Sequence, residues 1–343
     1  MIRLDSVTKR FADGTKAVDS LSMEMPTGEI TVLVGSSGCG KTTTLRMINR
    51  MVEPTEGVIT IDDRDVTSLA AHELRRSIGY VIQLVGLFPH RKVIDNVTTV
   101  PNLLGWDKKR SRQRALELLQ LVGLPAAYGD RYPAQLSGGQ QQRVGVARAL
   151  AADPPVLLMD EPFGAVDPIV RAQLQQEFLR LQRELHKTIV FVTHDVDEAI
   201  LLGDRIAVLT VGAHIEQLAA PADLLAWPAN EFVADFLGHD RGLKLLSLLP
   251  ASEVPVDPVH NVNGWHLVTD ENKRPLGWAD GHRAGPVPVR GIGPRDSARS
   301  LLDAAVSSPT GCAVRVDDDE RVVGLVRYDS IGKLLADRLA AAK

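Results

Sequence analysis

The 343-residue chain has little of several features that would place it in a specialised class. It contains two cysteines, Cys39 and Cys312, which are too few for a disulfide framework and suit a reducing cytoplasm. Aromatic residues make up 4% of the chain, hydrophobic residues 44% and charged residues 24%, a balance typical of globular domains. The length favours two domains over one.

The sequence also lacks a long apolar run and a basic excess. No stretch approaches the roughly 18 consecutive apolar residues that a transmembrane helix needs, so a role at a membrane would require spanning helices from another chain. The net charge is −4. A dedicated nucleic-acid binder carries a basic excess, so we expect no nucleic-acid partner.

The most informative stretch is a glycine-rich segment that fits G-x-x-x-x-G-K-[ST], the phosphate-binding loop. Residues 30–34 before it predict a buried strand and residues 43–48 after it predict a helix, which is the context that the motif needs. Glycines let backbone N–H groups converge on phosphate oxygens at a helix N-terminus. We expect Lys41 to reach the β- and γ-phosphates and the Thr42 hydroxyl to ligate Mg²⁺. The expected phosphate-binding residues are Gly35, Ser36, Ser37, Gly38, Cys39, Gly40, Lys41, Thr42 and Thr43.

Two later strands are predicted to end in groups that can do chemistry. Residues 156–160 form an apolar run that suits a central strand of a covered parallel sheet, and the run ends in Asp160 and Glu161. Asp160 suits Mg²⁺, directly or through water, and Glu161 suits orienting an attacking water. Residues 189–192 predict a similar buried strand followed by His194, which could contact a γ-phosphate or the water.

A second anion-binding feature is predicted at residues 136–143, which read Leu-Ser-Gly-Gly-Gln-Gln-Gln-Arg. Ser137 can cap a helix that begins near Gly139, with Gln140 in the capping-box position. A serine and two glycines at a helix N-terminus are well suited to bind an anion.

Three positions allow two interpretations from the residues alone. Phe11 could stack on an adenine ring or pack in the core. Cys39 could be a redox-sensitive thiol or a small filler of the loop. The apolar, turn-rich stretch 85–90 could be a partner surface or could be buried.

Together these motifs resemble the ATP-binding subunit of an ABC transporter, over about residues 1–237. The glycine loop, Gln83, residues 136–143, the carboxylates and His194 stand in that family's order. The resemblance implies an ATPase that works as a homodimer with ATP between the copies. It also implies roles for single residues: Phe11 stacks on adenine, Gln83 links Mg²⁺ to the membrane subunit, Ser137, Gly138, Gly139 and Gln140 clasp the partner's nucleotide, and Asp167 crosses the dimer interface.

A narrower resemblance is to importers of quaternary-ammonium osmoprotectants such as glycine betaine, choline, carnitine and proline betaine. It rests on residues 78–90 and 228–233. It implies a peripheral subunit on the cytoplasmic face of the membrane that contacts a separate permease near Gln83–His90, and a substrate-binding protein only indirectly. The alternatives are an importer ATPase for another small solute and a soluble ABC-type ATPase outside transport.

The last third of the chain contains a weak internal repeat. Residues 238–263 are expected to be a linker, and residues 267–278 align without gaps to residues 314–325. Each copy predicts a β-hairpin around an acidic turn. The pair resembles a degenerate tandem of CBS-type modules, which implies a regulatory domain over 264–343 that binds a nucleotide or responds to ionic strength. The alternative is a degenerate module for dimerisation or packing. The whole chain is therefore expected to be α/β: a P-loop domain with a mixed sheet, a helical subdomain and an antiparallel β subdomain, followed by a smaller α+β domain.

Overall fold

A computed structural model of the chain describes residues 1–82, 86–164, 166–283 and 285–340. The chain divides into two compact units, Met1–Pro221 and Ala222–Lys343. The three segments expected from the sequence, 1–237, 238–263 and 264–343, stay a prediction. Among the described residues, no helix combines the length and the apolar character that crossing a bilayer requires.

The first unit begins with two long strands and then alternates strands with helices. Its strands are β1 (Ile2–Arg10), β2 (Lys16–Met25), β3 (Ile30–Gly35), β4 (Glu56–Ile61), β5 (Arg64–Asp65), β6 (Ile78–Val81), β7 (Val156–Asp160), β8 (Thr188–Val192), β9 (Arg205–Thr210) and β10 (His214–Ala219). Its helices are α1 (Lys41–Ile48), α2 (Ala71–Ser77), α3 (Val93–Val97), α4 (Thr99–Leu103), α5 (Lys108–Leu121), α6 (Gly138–Leu150), α7 (Pro168–Leu185) and α8 (Val196–Leu202). Short 3₁₀ helices lie at Val66–Ser68, Ala126–Asp130 and Pro133–Gln135.

A six-stranded mixed sheet forms the centre of this unit, in the order β10-β9-β3-β8-β7-β6. All neighbours pair in parallel except β10, which is antiparallel to β9. Every residue of β3, β7 and β8 is buried. This burial explains why these strands are continuous apolar runs rather than alternating ones. The carboxyl ends of the parallel strands meet at one edge, where open α/β sheets bind ligands.

An antiparallel sheet in the order β2-β1-β4-β5 packs over this centre. Its apolar side chains alternate, as the sequence predicts, and those of β1 and β2 enter a core shared with β3, β7, β8 and α1. Leu45, Met47 and Ile48 of α1 belong to the same core. The glycine loop between β3 and α1 is therefore anchored at both ends by buried apolar contacts.

Helices α3 to α6 form the helical part of the unit. The apolar residues at 115, 118, 119 and 122 predict a helix over residues 108–122. The structure confirms it as α5, with Ala115, Leu118 and Leu119 buried. Asp107 caps it by accepting hydrogen bonds from the N–H groups of Lys109 and Arg110.

The second unit is smaller and mixes helices with two three-stranded sheets. After α9 (Pro221–Ala226), at the boundary between the units, follow α10 (Glu231–Leu237), α11 (Arg241–Leu248), a 3₁₀ helix (Ala251–Glu253), β11 (His266–Thr269), β12 (Pro275–Ala279), β13 (Val287–Pro288), β14 (Gly291–Ile292), α12 (Ala298–Ser307), β15 (Cys312–Val316), β16 (Val322–Arg327) and α13 (Tyr328–Ala340). The sheets have the orders β11-β12-β13 and β14-β15-β16.

The two predicted hairpins are confirmed, and they share one register. Leu267 lies opposite Trp278 in the first, and Val314 lies opposite Leu325 in the second. These are equivalent positions of the sequence repeat. Both hairpins also shift register at the same place, before the acidic turn. The repeat found in the sequence is therefore also a repeat in the structure.

The alanine-rich composition of residues 213–237 predicts a helix there, and this prediction is wrong for its first part. His214–Ala219 forms β10 and pairs with β9 through a turn at residues 211–213. Gly212 and Ala213 have φ of 84° and 58°, and this left-handed backbone reverses the chain. The alanine-rich composition becomes helical only from Pro221 onward.

A pair of leucine variants tests where the core lies. Leu158 on β7 is fully buried, whereas Leu103 at the end of α4 is 55% exposed. Leu158→Ala leaves a cavity and should lower the free energy of unfolding by about 2–5 kcal/mol. Leu103→Ala should change it by no more than about 0.5 kcal/mol. Urea denaturation followed by circular dichroism measures both, and equal losses would contradict the assignment of β7 to the core.

Candidate functional site

The glycine loop connects the end of β3 to the start of α1 in a conformation that requires glycine. Gly40, which precedes α1, has φ of 112°, and a Cβ there would lie 2.4 Å from the carbonyl oxygen of Ala17. A Cβ on Gly35 would lie 2.2 Å from the carbonyl oxygen of Leu209. No side chain among the described residues caps α1. Its first N–H groups are thus available to an anion, as the motif predicts.

Lys41 folds its ammonium group into this loop. The side chain is only 7% exposed, and Nζ donates to the carbonyl oxygens of Gly35 at 2.7 Å and Ser36 at 2.9 Å. Cys39 is fully buried, with its Sγ 3.6 Å from the same Nζ. The geometry favours the interpretation of Cys39 as a small packed side chain. Among the described residues, the hydrogen-bond acceptors of the Lys41 ammonium are these two neutral carbonyls and the Cys39 sulfur.

Thr42 and Asp160 are joined across the site. The Thr42 hydroxyl donates to Oδ1 of Asp160 at 3.0 Å. Asp160 is 3% exposed, and burial raises the pKa of its carboxyl, while the Thr42 hydrogen bond and the charge of Arg46 act in the opposite direction. Burial, reinforced by Asp160, also raises the pKa of nearby Tyr80 to about 12. The Thr42 hydroxyl and the buried Asp160 carboxylate therefore lie in direct contact beside the loop.

Glu161 and His194 form a second pair. Nδ1 of His194 lies 3.1 Å from Oε1 of Glu161, and the imidazole is largely exposed. Glu161 has φ of 47°, a left-handed conformation that is uncommon for glutamate. Its N–H donates to the carbonyl oxygen of Val192 at 2.9 Å, which holds the residue there. Such strain is concentrated at functional sites.

One pocket unites these groups. It has a volume of about 280 Å³ and is lined by Ala17, Ser37, Gly38, Gly40, Lys41, Thr42, Thr43, Glu161 and His194. The structure therefore brings together the glycine loop, Glu161 and His194, which are distant from one another along the chain.

Other predicted site residues do not line this pocket within the described part of the chain. Phe11 is 41% exposed, and the Lys9 ammonium lies 5.4 Å from its ring centroid. Asp167 caps α7 by accepting from the N–H of Val170 at 3.1 Å. Gln83 lies outside the described residues, as do Leu84 and Val85.

The predicted capping box at the start of α6 is confirmed. The Ser137 hydroxyl accepts from the N–H of Gln140 at 3.3 Å, and the Gln140 side chain accepts from the N–H of Ser137 at 3.0 Å. Gly138 has open space where a Cβ would lie. This helix N-terminus is exposed and suited to an anion, but none of its residues lines the pocket described above.

Two residues of the site escaped the sequence reasoning. Ala17 lines the pocket from β2, and no motif in the sequence marks this position. Arg46 lies one turn into α1 after Thr42, and its charge influences both Asp160 and Tyr80. Its spacing of four from Thr42 places both on one face of the helix, which was a usable signal.

Comparisons with known proteins agree with this geometry. The family model described as ABC transporter matches residues 18–164. The osmoprotectant import ATP-binding protein OsmV of Salmonella typhimurium is 46% identical over 98% of this chain and 96% of its own length. The choline transport ATP-binding protein OpuBA of Bacillus subtilis is 51% identical over 78% of this chain and 69% of its own length.

A solved structure is similar to a large part of the chain. It is a dimeric, post-hydrolysis ATP-binding cassette bound to ADP and Pi, 36% identical to this chain, with a TM-score of 0.60 over 64% of this chain and 99% of that one. The fold, the glycine loop and these relatives lead to one conclusion: the chain belongs to the ABC transporter family, as one of its ATP-binding, ATP-hydrolysing proteins.

Proposed function

We propose that this chain hydrolyses ATP to power the uptake of a compatible solute of the quaternary-ammonium type through a separate membrane permease. The observation that carries the catalytic part is the pocket lined by Lys41 and Thr42 together with Glu161 and His194. The solute class is supported by the relatives, whose names include osmoprotectant, choline, carnitine and glycine betaine transport.

In the proposed reaction the glycine loop and Lys41 bind the phosphates. The Lys41 ammonium exchanges the carbonyls of Gly35 and Ser36 for phosphate oxygens, which are stronger, charged acceptors. Glu161 orients and polarises a water for attack on the γ-phosphate. His194, within hydrogen-bond reach of Glu161, holds that carboxylate and contacts the γ-phosphate.

The Thr42 hydroxyl and Asp160 carboxylate also fit Mg²⁺. They are adjacent oxygen ligands, and one of them is a buried carboxylate whose pKa is raised by that burial. Mg²⁺ prefers oxygen ligands of this kind, together with nucleotide phosphates. Gln83 is proposed as a further ligand. When bound, the ion would neutralise negative charge on the phosphates.

Residues outside the pocket are proposed to act between two copies of the chain. Ser137, Gly138, Gly139 and Gln140 would clasp the nucleotide of the other copy, Asp167 would cross the interface, and Phe11 would stack on adenine. The exposed, capped N-terminus of α6 supports this proposal. It is suited to bind an anion, and its residues do not line the nucleotide pocket of their own chain. The related cassette structure is itself dimeric.

A groove beside the site supports the proposed contact with the permease. It has a volume of about 420 Å³ and is lined by apolar residues that include Tyr80, Ile82 and Phe88, together with Arg148. Phe88, one of its lining residues, belongs to the stretch Gln83–His90 that is expected to contact the membrane subunit. Through this contact the chain would be held peripherally at the cytoplasmic face of the membrane, and a substrate-binding protein would touch it only indirectly.

We propose that the hairpin repeat is a CBS-like regulatory module. The two hairpins are joined by an ion pair between Arg274 and Glu320, 3.5 Å apart and exposed. The N–H of Val322 also donates to the carbonyl oxygen of Lys273 at 3.0 Å. An exposed ion pair weakens as salt rises, so this junction can respond to ionic strength.

The role of Glu161 is tested by Glu161→Gln. The amide keeps the size of the side chain but cannot polarise water, so phosphate release should fall by roughly 100-fold or more. ATP affinity should be unchanged, and light scattering should detect a dimer that persists with ATP. Glu184→Gln on the exposed face of α7 is the matched control. Undiminished turnover in the Glu161 variant would refute the assignment.

The Mg²⁺ site is tested at Thr42. Thr42→Val removes the hydroxyl at nearly constant volume and should reduce the gain in ATP affinity that Mg²⁺ provides by at least about tenfold. Binding of a fluorescent ATP analogue in EDTA should stay the same. Thr42→Ser retains the hydroxyl and should behave as the parent chain. A Mg²⁺ response in the valine variant equal to that of the parent would exclude Thr42 as a ligand.

The regulatory proposal is tested by Arg274→Gln, which breaks the ion pair between the hairpins. The salt concentration at which ATPase activity of the complete transporter is half-maximal should shift to lower values, because the pair no longer needs to be screened. Arg283→Gln is the control, since Arg283 pairs with Asp280 within its own hairpin region. Identical salt profiles in the parent chain and in both variants would contradict a regulatory role and leave the module a role in packing alone.

A further inference from the structure

Arg171 lies in the first turn of α7, at a junction between two functional loops. One loop follows β7 and contains Glu161, Val166 and Asp167. The other follows β8 and contains His194 and Asp195. Neither the phosphate motif nor the capping motifs drew attention to this arginine, and it does not line the nucleotide pocket.

The guanidinium of Arg171 contacts both loops. Its Nη2 donates to the carbonyl oxygen of Val166 at 3.1 Å, and its Nη1 lies 3.9 Å from Oδ2 of Asp195. Its Nε is buried and has no hydrogen-bond partner within the described part of the chain. The polar contacts of the guanidinium described here are therefore to these two loops. Its planar shape, with N–H groups on several sides, suits two partners at once.

The Asp195 end of this bridge is rigid. Oδ1 of Asp195 caps α8 by accepting from the N–H groups of Asp197 at 2.9 Å and Glu198 at 3.2 Å. The N–H of Asp195 donates to the Thr193 hydroxyl at 3.0 Å. Because both its backbone and one carboxylate oxygen are fixed, the other oxygen is presented to Arg171 in a set position.

A second polar contact supports the bridge one helical turn further along α7. Gln175 donates to Oε1 of Glu198 at 3.0 Å, and both side chains are buried. Residues 171 and 175 are four apart and so lie on the same face of α7. Burial raises the pKa of Glu198, and hydrogen bonds and the charge of Arg171 oppose that rise. The face of α7 is therefore anchored to the start of α8.

The Val166 end of the bridge leads to the N-terminus of α6. Val166 is buried, and a Cβ on Gly139 would lie 3.7 Å from its Cγ1. The Val166 side chain therefore packs against Gly139, one of the residues proposed to clasp the nucleotide of the partner copy. Arg171 thus connects the loop that packs on Gly139 to the loop that contains His194 of the same chain.

We propose that Arg171 is a positioning residue that couples the loop of His194 and Asp195 to the loop of Val166 and Asp167, and through Val166 to Gly139. This inference rests on the proposed function, because it concerns how closure over one nucleotide sets the Glu161–His194 pair of the other site. The bridge keeps the two loops in a single relative position. Arg171 itself touches no nucleotide.

The test compares Arg171→Met with Arg180→Met on the same helix. Arg180 is exposed and pairs only with Glu177 and Glu184 among the contacts described, so its loss should have no effect. Arg171→Met should lower kcat by on the order of tenfold. It should leave the ATP concentration for half-saturation of binding unchanged, and it should lower the Hill coefficient for ATP toward one.

Two further variants separate coupling from a general loss of structure. Asp195→Asn retains the cap on α8, since asparagine caps helices as well as aspartate, but removes the charge that faces Arg171. It should reproduce the loss of kcat, and the Arg171→Met/Asp195→Asn double variant should be no worse than either single one. Arg171→Lys keeps a charge that can reach one partner and should recover part of the rate.

Three outcomes would overturn the proposal: parental kcat and Hill coefficient in Arg171→Met, additive losses in the double variant, or an equal loss in Arg180→Met. If Arg171→Met does not fold, Asp195→Asn and Arg171→Lys carry the same test. A parent chain that hydrolyses no ATP would instead refute the proposed function, so the two failures are distinguishable.

Discussion

Parallel pairing of β3, β8 and β7 is the constraint on which the site depends. The hydrogen bonding continues past the strand ends, where the N–H of Glu161 donates to Val192 and the N–H of Thr193 donates to Leu33. Each strand thereby delivers its own functional group to one edge: the glycine loop, the carboxylates or the histidine. Since all three strands are buried on both faces, sliding one past another would break packing as well as hydrogen bonds.

The sequence predicted this arrangement well because the relevant signals are local. A continuous apolar run followed by a polar residue identifies β7 and β8, and a serine with glutamine three residues later identifies the start of α6. The residues 213–237 were misread because their alanine-rich composition favours helix, whereas the left-handed turn at Gly212 and Ala213 imposes a hairpin. Tertiary pairing with β9 outweighed propensity there.

What the sequence could not provide were contacts between segments that are distant along the chain. Ala17 lines the pocket from β2, and Arg171 contacts Val166 and Asp195 through one guanidinium. A solvated arginine and an arginine that bridges two loops look identical in a sequence, because they differ in the residues that lie beside them in the fold. Arg180, on the same helix, pairs at the surface with Glu177 and Glu184.

The position of the α6 N-terminus explains why the contacts of Arg171 could matter for function. Ser137 and Gly139 do not line the pocket of their own chain, and under the proposed function they bind the nucleotide that a second copy presents. Closure of the dimer would then press on Gly139, and Gly139 packs against Val166. A loop that moved freely would absorb that displacement. Arg171 ties Val166 to the capped and rigid Asp195. The displacement is therefore passed to His194, which precedes Asp195 in the chain. The nucleotide state of one site then affects the catalytic residues of the other.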